Sequence, residues 1–511
     1  MERKKKVKLN TFIAALSRII FLLIGFAARK LIINIVSIDY LGLNSLYSNL
    51  LDLLNFAELG LGVAVQIRLY EPLVNKDYGK IYNIIRFAKK LYTIIGAVVL
   101  TLGIGSSFFL PYIIKDNPFP NWYVQVAFII SVVGISLSYL AADKRLFFES
   151  NEEYFYITLS DLIMKVATFV AGITILYFTK NYLIYIGIIQ AHLFLSNIVL
   201  LLIFRKKYAG YLKGQAYDAE FTKSESKAVR KNMKDVIPMK LGLFIFTSTD
   251  SIVISVIIGL TMVAIYSNYN LLFMSLLSLS GIVSTALVST FGKMEKENPD
   301  NKEPLYKAFR MYSNIQFMFS SLTAVCIFLL IDKFIDIWLG GDYHLEFLAV
   351  LLFSIDYYIH SLFQPLSTLH TSTGKFKEDK ICMIISAVIN IVVSIVLAFL
   401  IGVVGVIIGT LVANLFTYVA RSILIEHKFF GRKPIELIVR PIIQMAVVAA
   451  ECVICYFAIK YISLSNKIVE FVVCGVICVS IIGLIDVIYA WKLGYLKYVK
   501  KGKKQNVEEN S

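Results

Sequence analysis

The chain has 511 residues, 58% hydrophobic and 17% charged, with a mean hydropathy of +0.72. Soluble domains are nearer half apolar and a quarter charged, so this composition excludes an ordinary soluble protein and indicates a membrane one. The 51 Lys and Arg against 35 Asp and Glu leave a net charge of +16, which basic loops facing anionic lipid headgroups explain without nucleic acid.

The apolar residues come in blocks of about 20, the length that crosses a roughly 30 Å hydrocarbon core as a helix. They lack the alternation of barrel strands, so the expected class is an all-α polytopic membrane protein. The start "MERKKKVK" runs into a block of full spanning length with no small-residue cleavage site, so the first span is expected to stay as an anchor. In chain order about 14 transmembrane helices are expected. The first six lie near 11–36, 43–68, 90–114, 121–143, 154–179 and 182–204. Six more follow near 236–258, 262–290, 308–331, 345–371, 380–401 and 403–425, and a last pair near 440–462 and 467–491.

The basic residues sort along this map. With the N-terminus inside, the outer segments hold only Lys115, Lys180, Lys333, Lys460 and Lys467, and the spans hold Arg18, Arg29, Lys30, Lys165 and Lys240. The rest fall on inner segments, as the positive-inside rule requires, so both termini are expected to be cytoplasmic. The longest polar insert, "RKKYAGYLKGQAYDAEFTKSESKAVRKNMKD", reads as a solvated connector, with a partner-binding helix as the alternative.

Tyr47-Ser48-Asn49 in "YLGLNSLYSNLLDLLNFAELGLG" recurs 219 residues later as Tyr266-Ser267-Asn268 in "GLTMVAIYSNYNLLFMSLLSLSG". Both copies begin a span, the second and the eighth, so they share one orientation across the membrane. The expectation is two parallel-repeat six-helix bundles, 1–205 and 236–426, joined by a cytoplasmic linker at 206–235. An additional helix pair and a basic cytoplasmic tail occupy 427–511. Parallel repeats are an established transporter architecture, with the substrate path between the halves.

The stretch "YLGLNSLYSNLLDLLNFAELGLGVAVQIRLYEPL", continuing to "DYGKIYNIIRFAKKLY", resembles the second-span signature of bacterial polysaccharide flippases of the Wzx type. "DSIVISVIIGLTMVAIYSNYN" resembles the matching segment of their second half. These flippases belong to the multidrug, oligosaccharidyl-lipid and polysaccharide exporter superfamily. The resemblance implies two six-helix bundles around a central cavity, in a bacterial cytoplasmic membrane. It implies a cargo of undecaprenyl-diphosphate-linked oligosaccharide moved from the inner to the outer leaflet by alternating access. Glycan polymerase or glycosyltransferase partners go with that role, and no catalytic motif comes with it.

The ionisable residues within spans carry the chemistry. Each central charge costs roughly 2.5–3.5 kcal/mol on insertion scales, so it needs a partner or a wet cavity. Arg18 and Arg29 are three turns apart, within about 20° of one face of the first span, with Lys30 beside them. A guanidinium fork donates two hydrogen bonds to phosphate oxygens, so Arg18, Arg29, Lys30 and, in the seventh span, Lys240 are the candidate substrate-binding cations. The competing reading is that they snorkel to an interface. Asp52 and Glu58 of the second span and Asp250 of the seventh are candidate charge partners or coupling-ion sites. Asp356 and His360 form an i, i+4 couple on the tenth span, with His370 near its inner end, suiting proton coupling or plain packing. Asp161 and Lys165 have the spacing of a self-contained helix pair. His192 reads as a satisfied core residue, and Glu451 and Asp486 of the last two spans are candidates to bond to one another.

Cys326, Cys382, Cys452, Cys455, Cys474 and Cys478 all fall in apolar blocks and read as small apolar side chains, so no metal and no cofactor is expected. The aromatics suit interfacial belts and lipid-facing packing, with stacking on sugar or prenyl chain as the functional alternative. A cation-coupled multidrug exporter of the same superfamily is the nearest alternative, but it favours acidic cavity residues where the first span is basic. A membrane-embedded glycan polymerase or transferase is the alternative from another class. The short outer connections hold no Ser/His/Asp or paired-carboxylate constellation, and there is no Walker-type loop, so no enzyme is expected.

Overall fold

A computed structural model of the protein describes residues 3–54, 61–212, 214–220, 249–297, 301–373, 376–433 and 435–492. Among these there is no strand. The first helices are α1 (Arg3–Ile35), α2 (Ile38–Leu54), α3 (Leu61–Asn75), α4 (Tyr78–Ser107) and the single turn α5 (Leu110–Ile113). Next come α6 (Asn121–Ser138), α7 (Ala142–Ser150), α8 (Tyr154–Thr179) and α9 (Tyr182–Leu212). Then follow α10 (Leu260–Glu297), α11 (Glu303–Trp338), α12 (Phe347–Ser361), α13 (Phe363–Thr373), α14 (Phe376–Ile401) and α15 (Val403–Ile423). The final pair is α16 (Ile435–Ile459) and α17 (Lys467–Lys492).

Among the described residues twelve stretches are long and apolar enough to cross a membrane, and they follow the order of twelve of the expected spans. The second and seventh fall partly outside the described residues, at 55–60 and before 249. The protein is an all-α polytopic membrane protein. The tenth expected span, 345–371, is interrupted: α12 ends at Ser361 and α13 starts at Phe363. Pro365 is the physical reason, because it lacks the N–H that would bond the Ser361 carbonyl.

The chain divides into two compact units, Met1–Ser267 and Asn268–Ser511, with the boundary inside α10. In the first unit α1 lies along α8, α8 pairs with α9, and α6 packs between α9 and α4. Small residues permit these crossings: a Cβ on Gly103 of α4 would collide with Val132 of α6, and one on Gly134 of α6 with Gln190 of α9. Close backbone approach of this kind is how helices associate in lipid, where no hydrophobic drive between them remains. One apolar cluster joins α3, α4, α7 and α9 through Leu69, Ile84, Tyr92, Phe147 and Phe204. A second joins α1, α2, α6 and α9 to the first turns of α10 through Ile32, Leu43, Phe128, Tyr182 and Ala264.

In the second unit α14 and α15 are the tightest pair. Gly405 and Gly409, one turn apart on α15, face the α14 backbone at Leu397 and Ser394 with no room for a Cβ. The far side of α14 presents Ile381, Ile384, Val388, Val392, Ile395 and Phe399, all exposed. Their three-to-four-residue spacing makes an apolar stripe that fits lipid. α11 packs against α12, α16 and α17. With 38 and 36 residues, α10 and α11 are about 57 and 54 Å long. Both exceed the hydrocarbon core, and the ends that face each other in sequence, "KMEKE" and "EPLYKAFR", are charged.

Candidate functional site

The basic face of α1 is the starting point. Arg18 and Lys30 are exposed and Arg29 is half-buried. Arg29 Nη1 donates to Ser267 Oγ at 2.8 Å, and Ser45 Oγ of α2 donates to the same oxygen at 3.0 Å. Ser267 in turn donates to the Ala264 carbonyl at 2.9 Å. One hydroxyl therefore uses both acceptor lone pairs and its donor, and it ties α1, α2 and the start of α10 together. Thr261 adds a bond to Asp39 at 2.7 Å, and a Cβ on Gly42 of α2 would meet the Leu260 backbone.

Ser267 is the middle residue of the second Tyr-Ser-Asn copy. Its counterpart in the first copy, Ser48, is exposed and bonds back to Asn44 of its own helix, at 2.9 Å. The two tyrosines also differ: Tyr47 donates to the Val124 carbonyl at 2.8 Å, and Tyr266 to Asp250 Oδ2 at 2.7 Å. The repeat thus places equivalent residues in inequivalent surroundings.

Asp250 is buried where it accepts from Tyr266, whereas Asp52 is exposed on α2. Glu58 and Lys240 lie outside the described residues. In the second unit Asp356 of α12 is buried and accepts from Asn414 of α15 at 2.5 Å. The His360 ring sits edge-on to Phe273 at 5.6 Å and tilted over Phe363 at 5.4 Å.

The self-contained Asp161–Lys165 pair gives way to a tertiary network. Arg145 of α7 grips Asp161 of α8 with both guanidinium nitrogens, at 2.9 and 2.6 Å. Its Nε donates to Asn197 Oδ1 of α9 at 2.6 Å, and Ser196 donates to Asp161 at 2.5 Å. Bidentate geometry with every partner satisfied is the strong form of an ion pair, and it outcompetes a single i, i+4 contact. Sequence reasoning missed Arg145 because it stands beside a span end in "AADKRLFFES" and reads as a loop charge. His192, nearby on α9, bonds the Ile189 carbonyl at 2.8 Å.

Between α3 and α4, Asp77 caps α4 by accepting from the Lys80 N–H at 3.0 Å. That backbone donor, with the Lys80 ammonium at 3.3 Å, holds the carboxyl below the usual carboxylate range. The six cysteines are free thiols, and no group of three or more metal-ligating side chains occurs among the described residues. Chemically, α1 offers guanidinium and ammonium groups on one helix.

No family model and no curated relative matches the sequence. Among solved structures the chain is similar to the lipid II flippase MurJ in an inward closed conformation. The TM-score is 0.68 at 15% identity, over 95% of this chain and 99% of that one. It is similar to the inward-facing conformation of a multidrug resistance MATE transporter of the MOP superfamily. There the TM-score is 0.64 at 15% identity, over 80% of this chain and 96% of the other. An outward-facing MATE transporter matches with a TM-score of 0.52 at 14% identity, over 82% and 94%. At such identities the likeness is one of architecture, and this chain has the fold of the lipid II flippase and of the MOP-superfamily transporters.

Proposed function

We propose that the protein is a flippase that moves an undecaprenyl-diphosphate-linked oligosaccharide from the inner to the outer leaflet of a bacterial cytoplasmic membrane. Both termini lie in the cytoplasm and transport proceeds by alternating access. The carrying observation is the basic face of α1, with Arg18 exposed and Arg29 held in place by Ser267. A diphosphate needs paired donors and positive charge, and a guanidinium supplies both. The fold supports the reading, since the lipid II flippase match spans 95% of this chain against 80% for the inward-facing MATE transporter. Two six-helix bundles, a linker and an added helix pair remain the proposed domain plan.

The test is genetic. Deleting the gene should cause a lipid-linked intermediate to accumulate, and Arg18→Ala or Arg29→Ala should reproduce that accumulation at normal protein level. Mass spectrometry of the intermediate separates an oligosaccharide carrier from lipid II, the substrate named for the MurJ neighbour. No accumulation in the deletion strain defeats the proposal. Altered sensitivity to cationic compounds would favour a multidrug exporter instead.

A further inference from the structure

The last two helices carry one acidic residue each in their apolar interior. Glu451 of α16 is 0% exposed and Asp486 of α17 is 2% exposed. α16 and α17 pack on each other and on α11, along a seam built from Val325, Leu330, Cys455, Cys478 and Ile482. Ser321 Oγ of α11 donates to Glu451 Oε2. Glu451 Oε1 and Asp486 Oδ1 are buried with no hydrogen-bond partner among the described residues.

The two carboxyls lie within electrostatic reach of each other, and both reach Tyr358 of α12. Its hydroxyl is also buried without a partner among the described residues, on a side chain 2% exposed. Among the described residues neither carboxyl forms an ion pair with a lysine, arginine or histidine. The other titratable neighbours are the Cys455 thiol, whose Sγ donates to the Cys478 carbonyl of α17 at 4.0 Å, and the phenols of Tyr489 and Tyr418 beside Tyr358. Asp356, two residues before Tyr358, faces Asn414 instead.

Two like charges in an apolar seam without a counter-cation repel one another and forfeit their hydration. One bound proton removes a charge, turns an acceptor into a donor and supplies an orphan oxygen with a bond. We propose that Glu451 and Asp486 form a proton-binding site, the pair together holding one proton, with Ser321 donating to Glu451 and Tyr358 within electrostatic reach of both. The site is built by residues of the second unit, none of them on α1, and does not depend on the cargo assigned above.

The test is infrared spectroscopy of the purified full chain in lipid and sodium-free buffer. The wild type should show a protonated-carboxyl C=O band at neutral pH that shifts in D2O and is unchanged by added sodium. Glu451→Gln and Asp486→Asn should each remove it, in variants checked as folded by gel filtration and circular dichroism. Ser321→Ala, which keeps both carboxyls and loses only a hydroxyl, should shift the band. Absence of the band in the wild type overturns the proposal without any variant. So does its persistence in both carboxyl variants, an unmoved band in Ser321→Ala, or its loss on adding sodium, which would assign the site to that ion.

Discussion

Arg29 of the first helix and Ser267, the middle residue of the second Tyr-Ser-Asn copy, are joined by a 2.8 Å hydrogen bond. They are 238 residues apart, and Ser45 completes the contact from α2 at 3.0 Å. A charge that the sequence places within a span thus has a fixed polar anchor, which orients the guanidinium.

The first prediction concerns that anchor. In a double-mutant cycle of Arg29→Gln and Ser267→Ala, the two changes should couple by roughly 0.5–2 kcal/mol, the range for interhelical and charge-assisted hydrogen bonds in membranes. Reversible unfolding in mixed micelles measures it. Strict additivity would mean that the bond contributes nothing.

The Arg145–Asp161 network gives a second. The two side chains are 20% and 21% exposed, so removing one partner strands a partly buried charge at a cost of about 2 kcal/mol. Arg145→Leu and Asp161→Leu should each lower folded yield and thermal stability. The double variant should be less impaired than either single one. A double variant as unstable as the sum of the singles would contradict this.

Two glycines of α4 should part company. Gly103→Ala drives a methyl into Val132 and should destabilise by about 1–3 kcal/mol through overpacking. Among the described residues nothing lies within 4 Å of a Cβ on Gly105, so Gly105→Ala should be neutral or gain up to roughly 1 kcal/mol of helix propensity. Thermal unfolding of the two variants in one detergent compares them directly.

Asp77 sets a pH-dependent expectation. Its carboxyl is held low by the Lys80 N–H, so the cap stabilises fully above the unfolded value of about 3.9 and is lost as pH falls through the lower folded value. Asp77→Ala should cost about 1 kcal/mol at neutral pH. The gap to wild type should narrow below about pH 4; a gap that stays constant into strong acid would rule the charged cap out.

The spans were legible because lipid imposes one requirement, about 20 apolar residues per crossing, that any sequence must meet openly. The break at Leu362 had a visible signal in Pro365, but the surrounding apolar run reads as one block. Partners were another matter. Asp161 has Lys165 one turn away in sequence, yet it binds Arg145 from a separate helix, because a bidentate fork with two supporting side chains outweighs a local pair. Ser321, which donates to Glu451, stands 130 residues from it, and nothing in a serine within an apolar helix announces such a contact. The repeat was readable as a tripeptide, but the different bonds of Ser48 and Ser267 were not.

The most direct measurement is transport by the purified protein in liposomes, followed by the accessibility of an undecaprenyl-diphosphate-linked oligosaccharide to an impermeant glycan-modifying reagent. The account predicts that the protein speeds leaflet exchange over empty vesicles. It also predicts that Arg18→Ala and Arg29→Ala, folded and inserted like the wild type, slow exchange about tenfold or more, equivalent to roughly 1.4 kcal/mol of lost stabilisation each. Exchange no faster than in empty vesicles, or undiminished in both variants, would contradict it.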